Sequence, residues 1–305
     1  LLTGAGGFVG SHVLEALLAK TGRIICTDSF QHNGSVDRMV DAMGGGSRQR
    51  VTVLPDDLVA PFSPSERARL MNVQTIVSVA SRCQVDESIR EPAAFIANNI
   101  AVTLSVLELA RDLGARVIHM STDEVFGVRG THVHDPSSPY AASKAAQEDI
   151  CRAYWRTYEV DVSIVNSANM FGERQSQLAF IPKIIRAAMF NDHLEVHKGG
   201  CRRYTYVRNV AAYLVALANK DNPPLRHYLP GQQLVDNMTI VDMVAQIVGH
   251  KPHCEFVEGS AVRPGYDQSY GDMPSNAWWQ PQVSFAEGLE RTVRWTMKHP
   301  DWLEN

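Results

Sequence analysis

A chain of 305 residues, 45% hydrophobic and 20% charged, carries enough apolar material for one large α/β domain or for a domain with a smaller lobe. A net charge of −4 argues against a nucleic-acid binder that relies on a basic field, while leaving room for a local basic pocket. Five scattered cysteines with no Cys-x-x-Cys pair predict reduced, mostly buried thiols in a cytoplasmic protein, and no metal centre is expected. No apolar run is expected to reach transmembrane length and no signal-peptide pattern is visible, so no membrane partner is expected. Leu1-Leu2-Thr3-Gly4 reads as the end of a strand whose first residues precede this sequence.

Thr3-Gly4-Ala5-Gly6-Gly7-Phe8-Val9-Gly10-Ser11 leads into an amphipathic helix reaching residue 20. Glycines at 4, 7 and 10 suit a tight strand-to-helix turn. A pyrophosphate needs backbone N–H groups free of Cβ obstruction, and the helix N-terminus adds favourable potential. A glycine-rich turn is often only a turn, but here residues 23–28 follow as a second strand ending in an acid. Asp28 stands about 20 residues past the glycines, where a ribose-diol acceptor is expected, and favours NAD over NADP. Residues 31–50, polar and glycine-rich, read as a mobile excursion.

Residues 51–54 read as a third strand, followed by Asp56-Asp57-Leu58. An acid at such a strand end can accept from an adenine amino group; for Asp56 a helix N-cap is the better reading. Residues 75–81 read as a fourth strand, and 92–113 as a helix whose Asn98 and Asn99 are expected to satisfy backbone groups.

The most informative stretch is 117–144. An apolar, β-branched run ends in Ser121-Thr122-Asp123-Glu124-Val125-Phe126-Gly127, and after a polar loop comes Ser138-Pro139-Tyr140-Ala141-Ala142-Ser143-Lys144. This pattern predicts a buried strand delivering polar groups at its C-terminal edge, where open α/β sheets bind ligands. Tyr140 and Lys144 are four apart in a helix-favouring segment, so phenol and ammonium share a face. The cation is expected to pull the phenol pKa toward working pH and make Tyr140 a base.

Beyond it, residues 160–165 read as a sixth strand ended by Asn169-Met170-Phe171-Gly172, and 181–186 begin a helix. The basic run 198–207, with Arg202 and Arg203 among aromatics, suits a phosphate and a base or sugar face. Trp278 and Trp279 read as core, and 284–298 as an amphipathic helix.

The Gly4/Gly7/Gly10 turn, Asp28, Asp57-Leu58, the Ser121-Thr122 strand end and the Tyr140-x-x-x-Lys144 pair together resemble the NAD-dependent nucleotide-sugar epimerase/dehydratase family of extended short-chain dehydrogenases/reductases, over essentially the whole chain. Ser121-Thr122-Asp123-Glu124-Val125-Phe126-Gly127 closely resembles the signature of the dTDP-glucose 4,6-dehydratases, and Val85-Asp86-Glu87-Ser88-Ile89, Arg263-Pro264-Gly265-Tyr266-Asp267 and residues 284–289 resemble segments of the same group. The resemblance implies an α/β fold, a Rossmann-like doubly wound parallel sheet with a smaller C-terminal substrate-binding lobe. Residues 1–168, with a return from about 204–230, would bind NAD; 169–203 and 231–305 would bind substrate.

It also implies roles. NAD would meet Gly4, Gly7, Phe8, Val9, Gly10, Asp28, Asp57, Leu58, Ala80, Asn99, Tyr140 and Lys144. The substrate, a nucleotide-diphosphate sugar, would meet Gln84, Thr122, Asn169, Arg202 and Arg263. Catalysis would fall to Thr122, Asp123, Glu124, Tyr140 and Lys144: Tyr140 takes the 4-hydroxyl proton, Thr122 aligns that oxygen, Glu124 removes the C5 proton and Asp123 protonates the departing 6-hydroxyl. A homodimer through helices 92–113 and 140–158 is implied as well.

Four departures from the family pattern fall in or near the expected substrate lobe. Arg82-Cys83-Gln84 stand for Glu-Ser-His, Asn166 for an arginine, Ala179 for a lysine and Arg203 for an aspartate. They raise the prospect of a non-standard substrate. A 4-epimerase, a sugar-acid decarboxylase or another dehydratase on the same scaffold, and a non-catalytic NAD-binding protein, are the alternatives.

Overall fold

In the computed structural model, which describes residues 1–20, 22–127, 133–197, 200–229, 231–257 and 278–303, the chain begins inside its main sheet. β1 (Leu2–Thr3) runs directly into the glycine turn and α1 (Phe8–Leu18), then β2 (Ile24–Asp28), α2 (Val36–Met43), β3 (Val51–Pro55), α3 (Pro64–Leu70) and β4 (Thr75–Ser78). Next come α4 (Val85–Arg90), α5 (Pro92–Leu113), β5 (Arg116–Thr122), α6 (Pro139–Tyr158) and β6 (Val162–Ser167). The remainder is β7 (Asn169–Phe171), α7 (Phe180–Phe190), β8 (His193–His197), β9 (Cys201–Tyr206), α8 (Val207–Ala218), β10 (Arg226–Leu229), β11 (Gln233–Asp236), α9 (Asn237–Val248), β12 (His253–Val257) and α10 (Phe285–Lys298).

Seven strands form one parallel sheet in the order β10-β6-β5-β4-β1-β2-β3, a Rossmann-like doubly wound arrangement. Its central strands are apolar nearly throughout, as burial on both faces demands. One face is covered by α1, α2 and α8 through Val13, Leu14, Met39, Tyr213 and Leu214; the other is covered by α5 and α6 through Val106, Leu107, Leu109 and Cys151. Strand order reverses direction between β1 and β4, and ligands of open α/β sheets sit at that switch point. A smaller body gathers β7, β9 and β11, the β8–β12 pair, and α7, α9 and α10 around Phe171, Ile184, Tyr206, Ile240 and Leu289.

Several sequence expectations are corrected. The stretch 31–50 contains α2, capped by the Ser35 hydroxyl accepting from the Asp37 and Arg38 N–H groups and packed on α1 through Met39, Ala42 and Met43. Its polar composition hid an amphipathic helix. The sixth strand lies at 162–167, and 169–171 form a separate strand pairing with β9 rather than an ending. α5 is long and apolar enough to cross a membrane, with hydropathy 1.6 over its apolar window, which the sequence reading did not register. Half of that window is buried in the protein, where Phe95, Val102 and Val106 meet α6 and the sheet. Among the five free cysteines only Cys26 and Cys151 are buried. Trp278 and Trp279 pack on Tyr213, but Trp278 remains 38% exposed with Lys220 over its ring.

A Cβ at residue 10 would stand 1.9 Å from the Gly4 carbonyl oxygen, whereas one at residue 45 meets nothing within 4 Å. Gly10→Ala is therefore expected to cost about 1–3 kcal/mol by forcing the turn apart. Thermal melts should show a clear drop for Gly10→Ala and none for Gly45→Ala.

Candidate active site

The carboxyl ends of the central strands open into a cavity of about 1570 Å³ that reaches the smaller body. Its floor is the first turn. Gly4, at φ +70, lies so close to Ala80 that a Cβ would be 2.8 Å from that residue's backbone, and Gly7 N–H donates to the Gly4 carbonyl at 3.0 Å. Gly7, Phe8, Val9 and Gly10 line the cavity with the N-terminus of α1 behind them. Asp28 ends β2; its two carboxylate oxygens accept from Gly6 N–H and Phe30 N–H, both at 2.8 Å, and the group remains at the cavity wall. A carboxylate keeps further lone pairs after two such bonds, so a diol can still be accepted. Asp57, Leu58 and Ala80 line the same wall. A cradle of this form suits a dinucleotide.

β5 delivers the reactive groups. Its extended backbone stops at Thr122, whose hydroxyl donates to Asp123 Oδ1 and accepts from Glu124 N–H, each at 3.3 Å, capping a 3-10 turn over Asp123–Phe126. Leaving the strand breaks its two-residue alternation, so adjacent acids need not face opposite sides of the sheet. Glu124 lines the cavity; Asp123, 5% exposed, sits behind it against Thr122. Burial, then the neighbouring Glu124 charge, push the Asp123 carboxyl up to about 8, so it is largely protonated at neutral pH.

α6 begins where the sequence provides a cap and a proline. Ser138 accepts from Ala141 N–H at 3.1 Å, Pro139 occupies the first turn, and Tyr140 N–H donates to Ser88 on α4 at 3.1 Å. Tyr140 and Lys144 both line the cavity together with Thr122. The expectation is that Lys144, with the cationic nicotinamide ring, keeps this phenol acidic; among the protein's own groups Lys144 is not one of the causes that set it. The Tyr140 pKa is raised well above the ordinary value, by burial first and then by Glu124, with the Thr122 hydrogen bond opposing. Lys144 donates to the Met120 carbonyl at 2.8 Å and is itself lowered to about 8 by burial.

Gln84, Asn169 and Arg202 line the cavity; Arg263 lies outside the described residues. Asn99 does not join them. It is fully buried, its amide bonding the Arg82 N–H at 2.8 Å, the Arg82 carbonyl at 3.0 Å and Ser143 at 2.9 Å, which leaves no group for a cofactor; its neighbour Asn98 lines the cavity. The four departures separate in the same way. The Arg82 guanidinium turns to Glu87 at 2.6 Å and lies over the Phe95 ring, and the Asn166 amide is engaged beneath the strand end. Arg82 still lines the cavity, together with Cys83, Gln84 and Ala179. Sequence reasoning missed Arg38 and Lys183 at its wall; Arg38 lay in the stretch read as an excursion.

The NAD dependent epimerase/dehydratase family matches residues 1–231. The chain belongs to that family. Relatives include the dTDP-glucose 4,6-dehydratase of Shigella flexneri, 28% identical over all of this chain and 94% of its own length. The low-salt glycan biosynthesis protein Agl12 of Haloferax volcanii is 31% identical over 96% of each chain. Among solved structures, a double mutant of DesIV, a dTDP-glucose 4,6-dehydratase from Streptomyces venezuelae with NAD bound, superposes with a TM-score of 0.86 at 27% identity over 99% of this chain and 98% of that one. The UDP-glucose 4-epimerase of Thermotoga maritima superposes at 0.85 with 20% identity over 98% of each, a likeness of fold.

Asp123 binds its proton more tightly folded than unfolded, since its pKa rises from 3.8 to about 8. Its contribution to stability is thus fully present below about pH 4 and is lost as pH rises through about 8. Asp123→Asn should flatten that loss: between pH 5 and 9 its melting temperature should fall by several degrees less than that of the unsubstituted protein.

Proposed function

We propose that this chain is an NAD-dependent nucleotide-sugar 4,6-dehydratase of the dTDP-glucose 4,6-dehydratase kind. The observation that carries the reading is two adjacent buried acids at one strand end, Glu124 on the cavity wall with Thr122 and Tyr140 and Asp123 directly behind it, where burial favours its protonated form. An epimerase has no need of an acid to expel a hydroxyl; a dehydratase needs one acid and one base. Gly4, Gly7, Gly10, Asp28, Asp57 and Leu58 would hold NAD, as it is held in the DesIV relative. Bound in that cradle, NAD supplies a hydride acceptor that is restored within the turnover, and in its oxidised form a cationic ring that offsets the high pKa of Tyr140.

Tyr140 accepts the proton of the sugar 4-hydroxyl and Thr122 fixes that oxygen. Lys144 orients the cofactor ribose. Once C4 is a ketone, the C5 proton is acidic because its carbanion delocalises as an enolate, and Glu124 takes it. Asp123 gives its proton to the 6-hydroxyl, which leaves as water. Gln84, Asn169 and Arg202 bind the sugar nucleotide. In this reading residues 1–168 with 204–230 serve the cofactor and 169–203 with 231–305 the substrate. Exposed Leu104, Trp155 and Tyr158 on α5 and α6 support a homodimer through those helices.

Protein incubated with dTDP-glucose, UDP-glucose and related sugars should yield a product lighter by one water; a product of unchanged mass would point to an epimerase. Tyr140→Phe and Glu124→Gln should each lower kcat by about 10²- to 10⁴-fold. In deuterated solvent Glu124→Gln should take no deuterium at C5, and normal exchange there would remove its assigned role. Activity should also decline as pH rises through about 8, where Asp123 loses its proton.

A further inference from the structure

Beneath the end of β5 lies a second charged group that does not itself line the cavity. Glu148 on α6, one turn past Lys144, is fully buried. Its Oε1 accepts from Ser121 Oγ at 2.5 Å and from Asn166 Nδ2 at 2.6 Å; its Oε2 meets His134 Nε2 at 2.9 Å and the Arg226 guanidinium. Asn166 Nδ2 also donates to the Thr122 carbonyl at 2.9 Å. One carboxylate thereby holds the backbone and side chain of the two residues immediately before the acids. Its charge is balanced from another element by Arg226 on β10, whose guanidinium also lies over the Phe126 ring, and it is further hydrogen-bonded by His134 in the segment before α6, which also approaches Asp149.

We propose that Glu148, clamped between Arg226 and His134, is a positioning residue that fixes the end of β5 and so aims the Thr122 hydroxyl and the two acids beyond it. The inference rests on the reading of Thr122 as the group that aligns the substrate oxygen. A buried carboxylate with one lost counter-charge would reorganise toward solvent, taking Ser121 and Asn166 with it. Glu148 acts through the strand, so its loss shows in turnover rather than in substrate affinity.

The test compares Glu148→Gln, Arg226→Gln and the double variant Arg226→Gln/Asn166→Arg, in which a cation returns to Glu148 from the neighbouring strand. Two readouts are needed: steady-state kinetics on the sugar nucleotide that the unsubstituted enzyme turns over, and the methyl resonance of Thr122 in threonine-labelled protein, assigned with Thr122→Ser. Arg226→Gln should lower kcat by about 10- to 100-fold with KM unchanged, as expected for a small misplacement of reacting groups. It should also move the Thr122 resonance, and Asn166→Arg should restore both. If Arg226→Gln fails to fold, Arg226→Lys, which keeps the charge but shortens the fork, carries the same readouts. A Thr122 resonance unmoved in Glu148→Gln and Arg226→Gln overturns the proposal, as does a double variant no better than the single one. If no sugar nucleotide is dehydrated at all, the functional reading falls, while the resonance still decides whether Glu148 positions the strand end.

Discussion

The site depends on β5 ceasing to be a strand at Thr122. Inside a parallel sheet buried on both faces, successive side chains must alternate, and a polar triplet would send one member into the core. The Thr122 hydroxyl takes over the Glu124 N–H that the ladder no longer satisfies, and the 3-10 turn that follows carries both acids with it. The neighbouring strand continues alongside to the same level, since Thr122 still pairs with Ser167 of β6. The chain therefore turns at a defined level of a rigid sheet, and its acids start from fixed backbone rather than from a free loop.

Enclosure then differentiates groups that composition makes equivalent. Removal from water penalises each charged form, raising acids and phenols and lowering amines. Asp123, Tyr140 and Lys144 all obey that rule: the first two move up and the third moves down to about 8. Asp123 and Glu124 are adjacent, yet only Glu124 meets the cavity wall, and its charge is one reason Asp123 keeps a proton. The ionisation pattern is a property of where the turn places each carboxyl, not of their residue types.

This explains which parts of the protein were legible in the sequence. The glycine turn, Asp28 and the strand end could be read because each is local: a glycine needed for close approach, an acid at a fixed interval, a hydroxyl and two acids closing an apolar run. The doubly wound sheet followed from the same alternation of runs and helices. The Tyr140–Lys144 spacing put both side chains on one helix face, but the phenol pKa within the protein could not be read from that spacing, because it is raised first by burial and then by Glu124 and Cys83, which come from other elements. α2 was missed because its apolar residues, Met39, Ala42 and Met43, are few and flanked by polar sequence. Asn99 was legible as a backbone-satisfying amide but not as one with no capacity left over, since Arg82 and Ser143 reach it only in three dimensions.

The same distinction bears on the departures from the family pattern. Read along the chain, Arg82, Gln84, Asn166, Ala179 and Arg203 all alter the expected substrate region. In space they divide by what each side chain touches. Arg82 lines the cavity while its guanidinium pairs with Glu87 of α4 and lies over a ring of α5, and Asn166 serves a buried carboxylate whose cation arrives from β10. Cys83, Gln84 and Ala179 have no such interior role and present their surfaces to the ligand space, with the Gln84 amide anchored to Asn33 at 2.9 Å. Two of these three lie between β4 and α4 or at its start, and the third caps the start of α7. Of the departures, Arg82, Cys83, Gln84 and Ala179 reach the cavity wall, so any difference in the ligand that the cavity accepts is to be sought first at those positions, whereas Asn166 acts from beneath it.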